Sequence, residues 1–190
     1  AFAEVKAGDR VCDLGTGCGI LPLLWDATAD GVECCPETAA LARRSIEENG
    51  LSHRIRIVEE RWESTTLPAA TYDRVVSNPP YFTAGRQSDC PRRRLARHEE
   101  ADTLQTVVTA AARLLKNGGH FVFCHRPERL ADVIAALREQ RLEPKRLQPV
   151  QKRADTPPWL FLLEARRDGR PGLTWLPPLV LYTDAGTPTQ

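Results

Sequence analysis

Apolar and polar positions along the chain alternate between two periods, one suited to strands and one to helices. Arg10 to Leu14 is a short apolar-rich run carrying Asp13 near its end, and it passes at once into Gly15, Gly17 and Gly19. That is the pattern of a buried strand entering a glycine turn. Ile20 to Trp25 opens a first helix, and the next strand ends near Gly31-Val32-Glu33. Only eleven residues, Ile20 to Asp30, lie between the two glycines. That is tight for a helix, a loop and most of a strand, so residues missing from this stretch are one expectation. Pro36 starts a helix with Leu41, Ala42, Ser45 and Ile46 at helical spacing, and Asn49-Gly50 stops it. Ile55 to Val58 and Asp73 to Ser77 read as strands. Leu104, Val107, Val108, Ala111, Leu114 and Leu115 lay out one helix face, closed by Asn117-Gly118-Gly119. Phe121 to Cys124 is a strand, Pro127 begins a helix carrying Leu130, Val133, Ile134 and Leu137, and Trp159 to Leu163 is a late strand. Beyond Arg170 the chain reads as an irregular Pro-Gly-rich tail. Strand and helix alternate throughout, which predicts an α/β fold: a parallel sheet with helices on both faces and ligands at the carboxyl ends of the strands.

At 190 residues, 42% of them hydrophobic, the chain can bury one substantial core, so 1–190 reads as a single domain. No apolar run approaches the roughly 20 residues that span a bilayer, and the N-terminus lacks the order of a signal peptide. A cytoplasmic protein without membrane contact is expected. Cys12, Cys18, Cys34, Cys35, Cys90 and Cys124 contain no C-x-x-C pair, and His53, His98, His120 and His125 show no helical metal spacing. Free thiols and no metal are therefore expected. Methionine is absent even at position 1, so Ala1 reads as an arbitrary start.

The net charge of +1 conceals local imbalance. Arg86, Arg92, Arg93, Arg94 and Arg97 crowd one stretch, and Arg138, Arg141, Lys145, Arg146, Lys152 and Arg153 form a second. Attraction for phosphate depends on the local field, so the first stretch suggests RNA contact. The second serves equally well as solvated helix and loop surface.

Val11 to Gly19 reads Val-Cys-Asp-Leu-Gly-Thr-Gly-Cys-Gly. Glycines spaced two apart at a strand-to-helix turn let a ligand approach the backbone and the free N–H groups of the helix start. The spacing differs from the G-x-G-x-x-G of dinucleotide sites, which disfavours a nicotinamide-dependent oxidoreductase. The D-x-G-x-G-x-G form resembles the first motif of Class I methyltransferases, where this loop lies along the methionine end of S-adenosylmethionine. The resemblance implies cofactor contacts from Asp13, Gly15, Thr16, Gly17 and Gly19. Glu33, closing the second strand, can accept from both ribose hydroxyls. Where that family usually places an aspartate for the adenine amino group, this chain has Glu59-Glu60-Arg61-Trp62, with Arg61 at the aligned position. Glu60 or a backbone carbonyl can act as acceptor instead, with Trp62 flanking the ring.

Ser77-Asn78-Pro79-Pro80-Tyr81-Phe82 follows the fourth strand. An aromatic amino group is a poor nucleophile because its lone pair is delocalised. Acceptors on both amino hydrogens, the Asn78 side-chain carbonyl and the Pro79 backbone carbonyl, can hold that lone pair toward a methyl donor. Pro79 and Pro80 stiffen the loop and offer no N–H, and Tyr81 provides a ring for a splayed base. Asn78 also lies close enough to count among the cofactor contacts. Positioning for in-line transfer needs no strong general base.

With these motifs the chain resembles the bacterial adenine-N6 methyltransferases of valine tRNA, which modify the adenine next to the anticodon. The likeness extends to Ala-Arg-His-Glu (96–99), His-Arg-Pro-Glu-Arg-Leu (125–130), and Pro-Gly-Leu with Leu-Pro-Pro-Leu-Val-Leu-Tyr (171–182). It implies a Rossmann-like Class I fold, a mostly parallel seven-stranded sheet with an antiparallel last strand. It also implies S-adenosylmethionine as cofactor and RNA, as tRNA, as partner; oligomeric state is left open. Family members carry an N-terminal segment that closes over the site, and its absence from this chain is expected. Two other planar amino nitrogens remain open as targets, guanine N2 of ribosomal RNA and a protein glutamine amide. So does a cofactor-binding RNA module without activity, given Arg61.

Overall fold

A computed structural model of the protein describes residues 2–79, 100–183 and 186–189. Its parallel strands are β1 (Arg10–Leu14), β2 (Thr28–Glu33), β3 (Ile55–Glu59), β4 (Tyr72–Ser77) and β5 (Leu115–His125). Helices α1 (Ile20–Leu23), α2 (Pro36–Glu48), α3 (Glu100–Leu114) and α4 (Leu130–Glu139) connect or flank them. The chain then runs through β6 (Leu142–Gln151), β7 (Leu160–Arg167), β8 (Thr174–Trp175) and β9 (Leu179–Val180). The sheet order is β3-β2-β1-β4-β5-β7-β6, with β8 and β9 both lying along the outer side of β6. Only β7 runs against its neighbours β5 and β6. The expected mostly parallel sheet is present, and two short strands extend it.

Each face of the sheet has its own core. One packs Phe121, Phe123, Leu147 and Leu163 against Leu104, Val108 and Ala111 of α3 and Val133 and Leu137 of α4. The other packs Val11, Ala29, Val76 and Val122 against Ala39, Ala42 and Ile46 of α2. The apolar positions that predicted α3 are buried here, as helical amphipathicity requires; of those that predicted α2, Ala42 and Ile46 are buried, whereas Leu41 is exposed. The short span after Gly19 is accommodated by a single helical turn, α1, before β2 begins.

Three features depart from the sequence expectation. Asn117-Gly118-Gly119 does not simply end a helix. It forms an irregularity within β5, where Tyr72 pairs with Leu115 but Arg74 already pairs with His120. Gly118, at φ 76, turns the chain there. The strand β6 was hidden by Pro144, Pro149 and its charges, since proline is usually excluded from a paired strand. The outer ladder touches β6 only at Arg146–Leu147 (β8) and Val150–Gln151 (β9), so its gaps fall at both prolines. The tail expected to be irregular instead splints this edge. The Leu176 N–H donates to the Leu147 carbonyl at 2.8 Å and the Tyr182 N–H to the Lys152 carbonyl at 2.9 Å.

Candidate active site

The strand order reverses between β1 and β4, the place where an open α/β sheet leaves a crevice. Leaving β1, Gly15, Gly17 and Gly19 have φ of 75°, 59° and 80°. A side chain at these angles is strained, so the glycine pattern is a backbone requirement. The turn is clamped to β2, with the Gly15 and Thr16 N–H groups both donating to the Val32 carbonyl at 2.9 and 3.0 Å. Gly31 serves the same junction by its size, since a Cβ there would meet the Thr16 and Ile57 methyls at 2.8 Å.

Glu33 ends β2 almost fully buried, at 4% exposure. One carboxylate oxygen accepts the Gly17 N–H at 3.0 Å and the other the Cys35 N–H at 2.9 Å. Each oxygen keeps a second lone pair for a ligand hydroxyl. Asp13 is buried more deeply, at 1% exposure, and among the described residues neither of its oxygens has a hydrogen-bond partner. The Thr16 hydroxyl nearby has none among them either. Desolvation pushes the Asp13 carboxyl up to about 7; Thr16 opposes this and the charge of Glu33 adds to it. Unsatisfied buried carboxylates are costly, so this arrangement suits a cationic or donor ligand.

S-adenosylmethionine matches that demand. Its amino group would be a cation for a buried acid such as Asp13, its ribose hydroxyls would suit a carboxylate placed as Glu33 is, and its positive sulfonium would suit a crevice with two buried acids. A dinucleotide pyrophosphate would bring negative charge to the same acids.

On the far side of the glycine turn, Trp62 packs edge-on, and a Cβ on Gly15 would come within 3.3 Å of its ring. Its indole N–H donates to Thr106 Oγ1 at 3.2 Å, which fixes the ring between turn and helix. Glu60 is anchored by its backbone N–H to the Glu33 carbonyl at 3.1 Å. Its carboxylate is turned to Thr66, accepting from the backbone at 2.8 Å and the hydroxyl at 2.7 Å. These bonds, then Thr65, hold its carboxyl below the usual range. Arg61 is exposed and pairs with Glu63 at 3.0 Å.

Beside β1, Ser77 is buried and its hydroxyl donates to the Leu14 carbonyl at 2.8 Å. This bond joins the ends of β4 and β1, so Asn78 emerges next to the glycine turn. Asn78 is exposed, Pro79 is buried, and the Cys124 thiol at the end of β5 donates to Asn78 Oδ1 at 3.1 Å. The thiol donor leaves Asn78 Oδ1 a further lone pair. Ser77 and Cys124 were not singled out by sequence. Ser77 could have been found by its place before Asn78, whereas Cys124 becomes a neighbour only through the β4–β5 register. The sequence-predicted Pro80, Tyr81, Arg86, Arg92, Arg93, Arg94 and Arg97 lie outside the described residues. Among the described residues no cluster of His, Cys, Asp and Glu is placed to hold a metal, and no helix is long and apolar enough to cross a membrane.

This sheet and crevice define a Rossmann-like methyltransferase domain, and residues 2–139 match the methyltransferase small domain family, to which the chain belongs. Among its relatives, it is 33% identical over 143 residues to the tRNA1(Val) (adenine(37)-N6)-methyltransferase of Aeromonas hydrophila, covering 72% of this chain and 59% of that protein. The enzyme of the same description from Parabacteroides distasonis is 28% identical over 170 residues, covering 86% of this chain and 71% of its own. In fold, the chain resembles a predicted O-methyltransferase of Agrobacterium tumefaciens with a TM-score of 0.78 at 23% identity, covering 98% of this chain and 87% of the other.

Proposed function

We propose that this domain transfers a methyl group from S-adenosylmethionine to the N6 amino group of an adenine in tRNA, beside the anticodon of a valine tRNA, in the cytoplasm. The observation that carries the proposal is the emergence of Asn78 and Pro79 beside the glycine turn, with the buried Asp13, unpartnered among the described residues, close by. The resemblance to the tRNA1(Val) enzymes supports the choice of substrate.

The cofactor supplies an electrophilic methyl group on sulfur. Asp13 and Thr16 hold its amino group, Glu33 its ribose, and Trp62 with the Glu59–Arg61 backbone borders its adenine. Glu60 contributes there through the lone pairs that Thr66 leaves. Asn78 Oδ1, oriented by Cys124, accepts one hydrogen of the target amino group and the Pro79 carbonyl the other. Held so, the nitrogen would keep its lone pair available to the methyl group that the bound cofactor supplies. Tyr81 stacks on the base and the arginines from Arg86 to Arg97 attract the RNA.

Labelled methyl transfer to valine tRNA transcript, with release factor and ribosomal RNA as competing acceptors, tests this. Label on the tRNA adenine, reduced at least about 100-fold by Asn78→Ala, is expected, as for loss of a transition-state acceptor. Label confined to glutamine or guanine, or an unimpaired Asn78→Ala, would overturn it.

A further inference from the structure

The structure divides the cations that sequence alone could not sort. Arg138 pairs with Glu143, Arg141 with Asp168, Arg146 with Glu164 and Glu4, Arg129 with Asp132, and Arg153 with Asp155. Arg126 and Lys152 have no ion pair among the described residues. Both stand on the carboxyl edge of the sheet, Arg126 directly after β5 and Lys152 directly after β6.

Two exposed aromatic residues share that edge. Trp159, 36% exposed, precedes β7 and donates its N–H to the Val150 carbonyl at 3.0 Å. Tyr182, 43% exposed, follows β9 and is bonded by its N–H to the Lys152 carbonyl. Strand order then sets a row that starts at the candidate catalytic residue: Asn78 after β4, Arg126 after β5, Trp159 before β7, Lys152 after β6 and Tyr182 after β9. With strands about 4.8 Å apart, the row extends on the order of 20 Å. Glu128, in the 3₁₀ turn after Arg126, partly offsets its charge.

We propose that this row is a track for single-stranded RNA, binding the nucleotides that flank the base held at Asn78. The inference rests on the RNA methyltransferase reading above. Unpaired cations meet phosphates and exposed rings stack on bases, the combination that holds a single strand without reading its sequence. A protein substrate would have little use for alternating cations and rings extending away from the reaction centre. At the opposite edge Arg138 and Arg141 are already neutralised by Glu143 and Asp168.

The test compares the full chain with Arg126→Gln/Lys152→Gln, Trp159→Ala, Trp159→Phe and Tyr182→Ala. The substrates are tRNA transcript and a short single-stranded anticodon-loop RNA, over a range of salt. The double neutralisation should raise the KM for RNA several-fold and flatten the log–log salt slope by roughly 1.4, about 0.7 per single-strand phosphate contact. Trp159→Ala should raise it about tenfold, in the range for loss of one stacked base, with Trp159→Phe restoring most of the loss. kcat and S-adenosylhomocysteine affinity should stay at parental values. The paired-cation control Arg138→Gln/Arg141→Gln should leave both KM and slope unchanged. Parental KM and slopes in the track variants, with RNA methylated normally, would overturn the track alone, as would an equal effect of the control. A parent that methylates no RNA, or labels only protein, would overturn the methyltransferase reading and the track with it.

Discussion

On the proposed reading, Asp13 ties cofactor binding to protonation. Its carboxyl is raised from 3.8 to about 7 by burial, so the folded protein holds this proton more tightly than the unfolded chain does. This group therefore favours the folded, ligand-free protein at low pH, and that contribution is lost as pH rises from 3.8 through about 7. Cofactor affinity runs the other way, because the ligand's cation needs the ionised form. Titration calorimetry should show affinity falling roughly tenfold per pH unit below 7, with proton release on binding. Asp13→Asn should remove this slope, weaken binding at pH 8 and raise the melting temperature of the ligand-free protein there. An unchanged slope in the variant would assign the proton to another group. The sequence displayed Asp13 within a motif but not its want of a partner, which depends on the closed turn and on Gly31 admitting Thr16.

At the scale of elements, legibility followed how local the determinants are. The helix α2 could be read from Pro36, its apolar spacing and Asn49-Gly50, because all of these act within a few residues. The strands β1 and β4 and the glycine turn were legible for the same reason. The strand β6 was not, since its prolines are tolerated only where distant partners leave the ladder open. The tail strands β8 and β9 are two residues each and have no periodicity to read. Their role is to cover an edge that would otherwise present unpaired backbone groups. A chain ended after Gly172 should therefore self-associate in sedimentation velocity at concentrations where the longer chain remains monodisperse. A monodisperse truncated chain would show that β6 protects itself.

Across the whole molecule, the two edges of the sheet have different electrostatic duties. Toward the amino edge, Asp30 is buried between Arg56 at 2.7 Å and the Tyr72 hydroxyl at 2.6 Å, while Glu164 receives Arg146 and His120. Burial and then the Asp30 bond raise the Tyr72 hydroxyl well above its ordinary value, so it remains a donor. Asp30→Asn should lower stability by about 1.5–3 kcal/mol, the usual range for hydrogen bonds to a charged group, and leave cofactor affinity unchanged. Denaturant unfolding and calorimetry check the two halves of that expectation, and a loss of cofactor affinity would contradict this division. At the carboxyl edge Arg129 and Arg153 are paired with Asp132 and Asp155, while among the described residues Asp13 has no hydrogen-bond partner and Arg126 and Lys152 no ion pair.

The order β5-β7-β6 also constrains how the sheet is assembled. During synthesis β6 emerges before β7, yet its place beside β5 is separated by the width of one strand that does not yet exist. The neighbouring strands β6 and β7 can zip together through a short loop, whereas joining β5 requires closing a longer one around α4. The favoured route is thus a finished hairpin docking as a unit. Lys152 and Trp159 sit at its tip, so the outer part of the edge is built apart from Asn78 and reaches it in a single docking step.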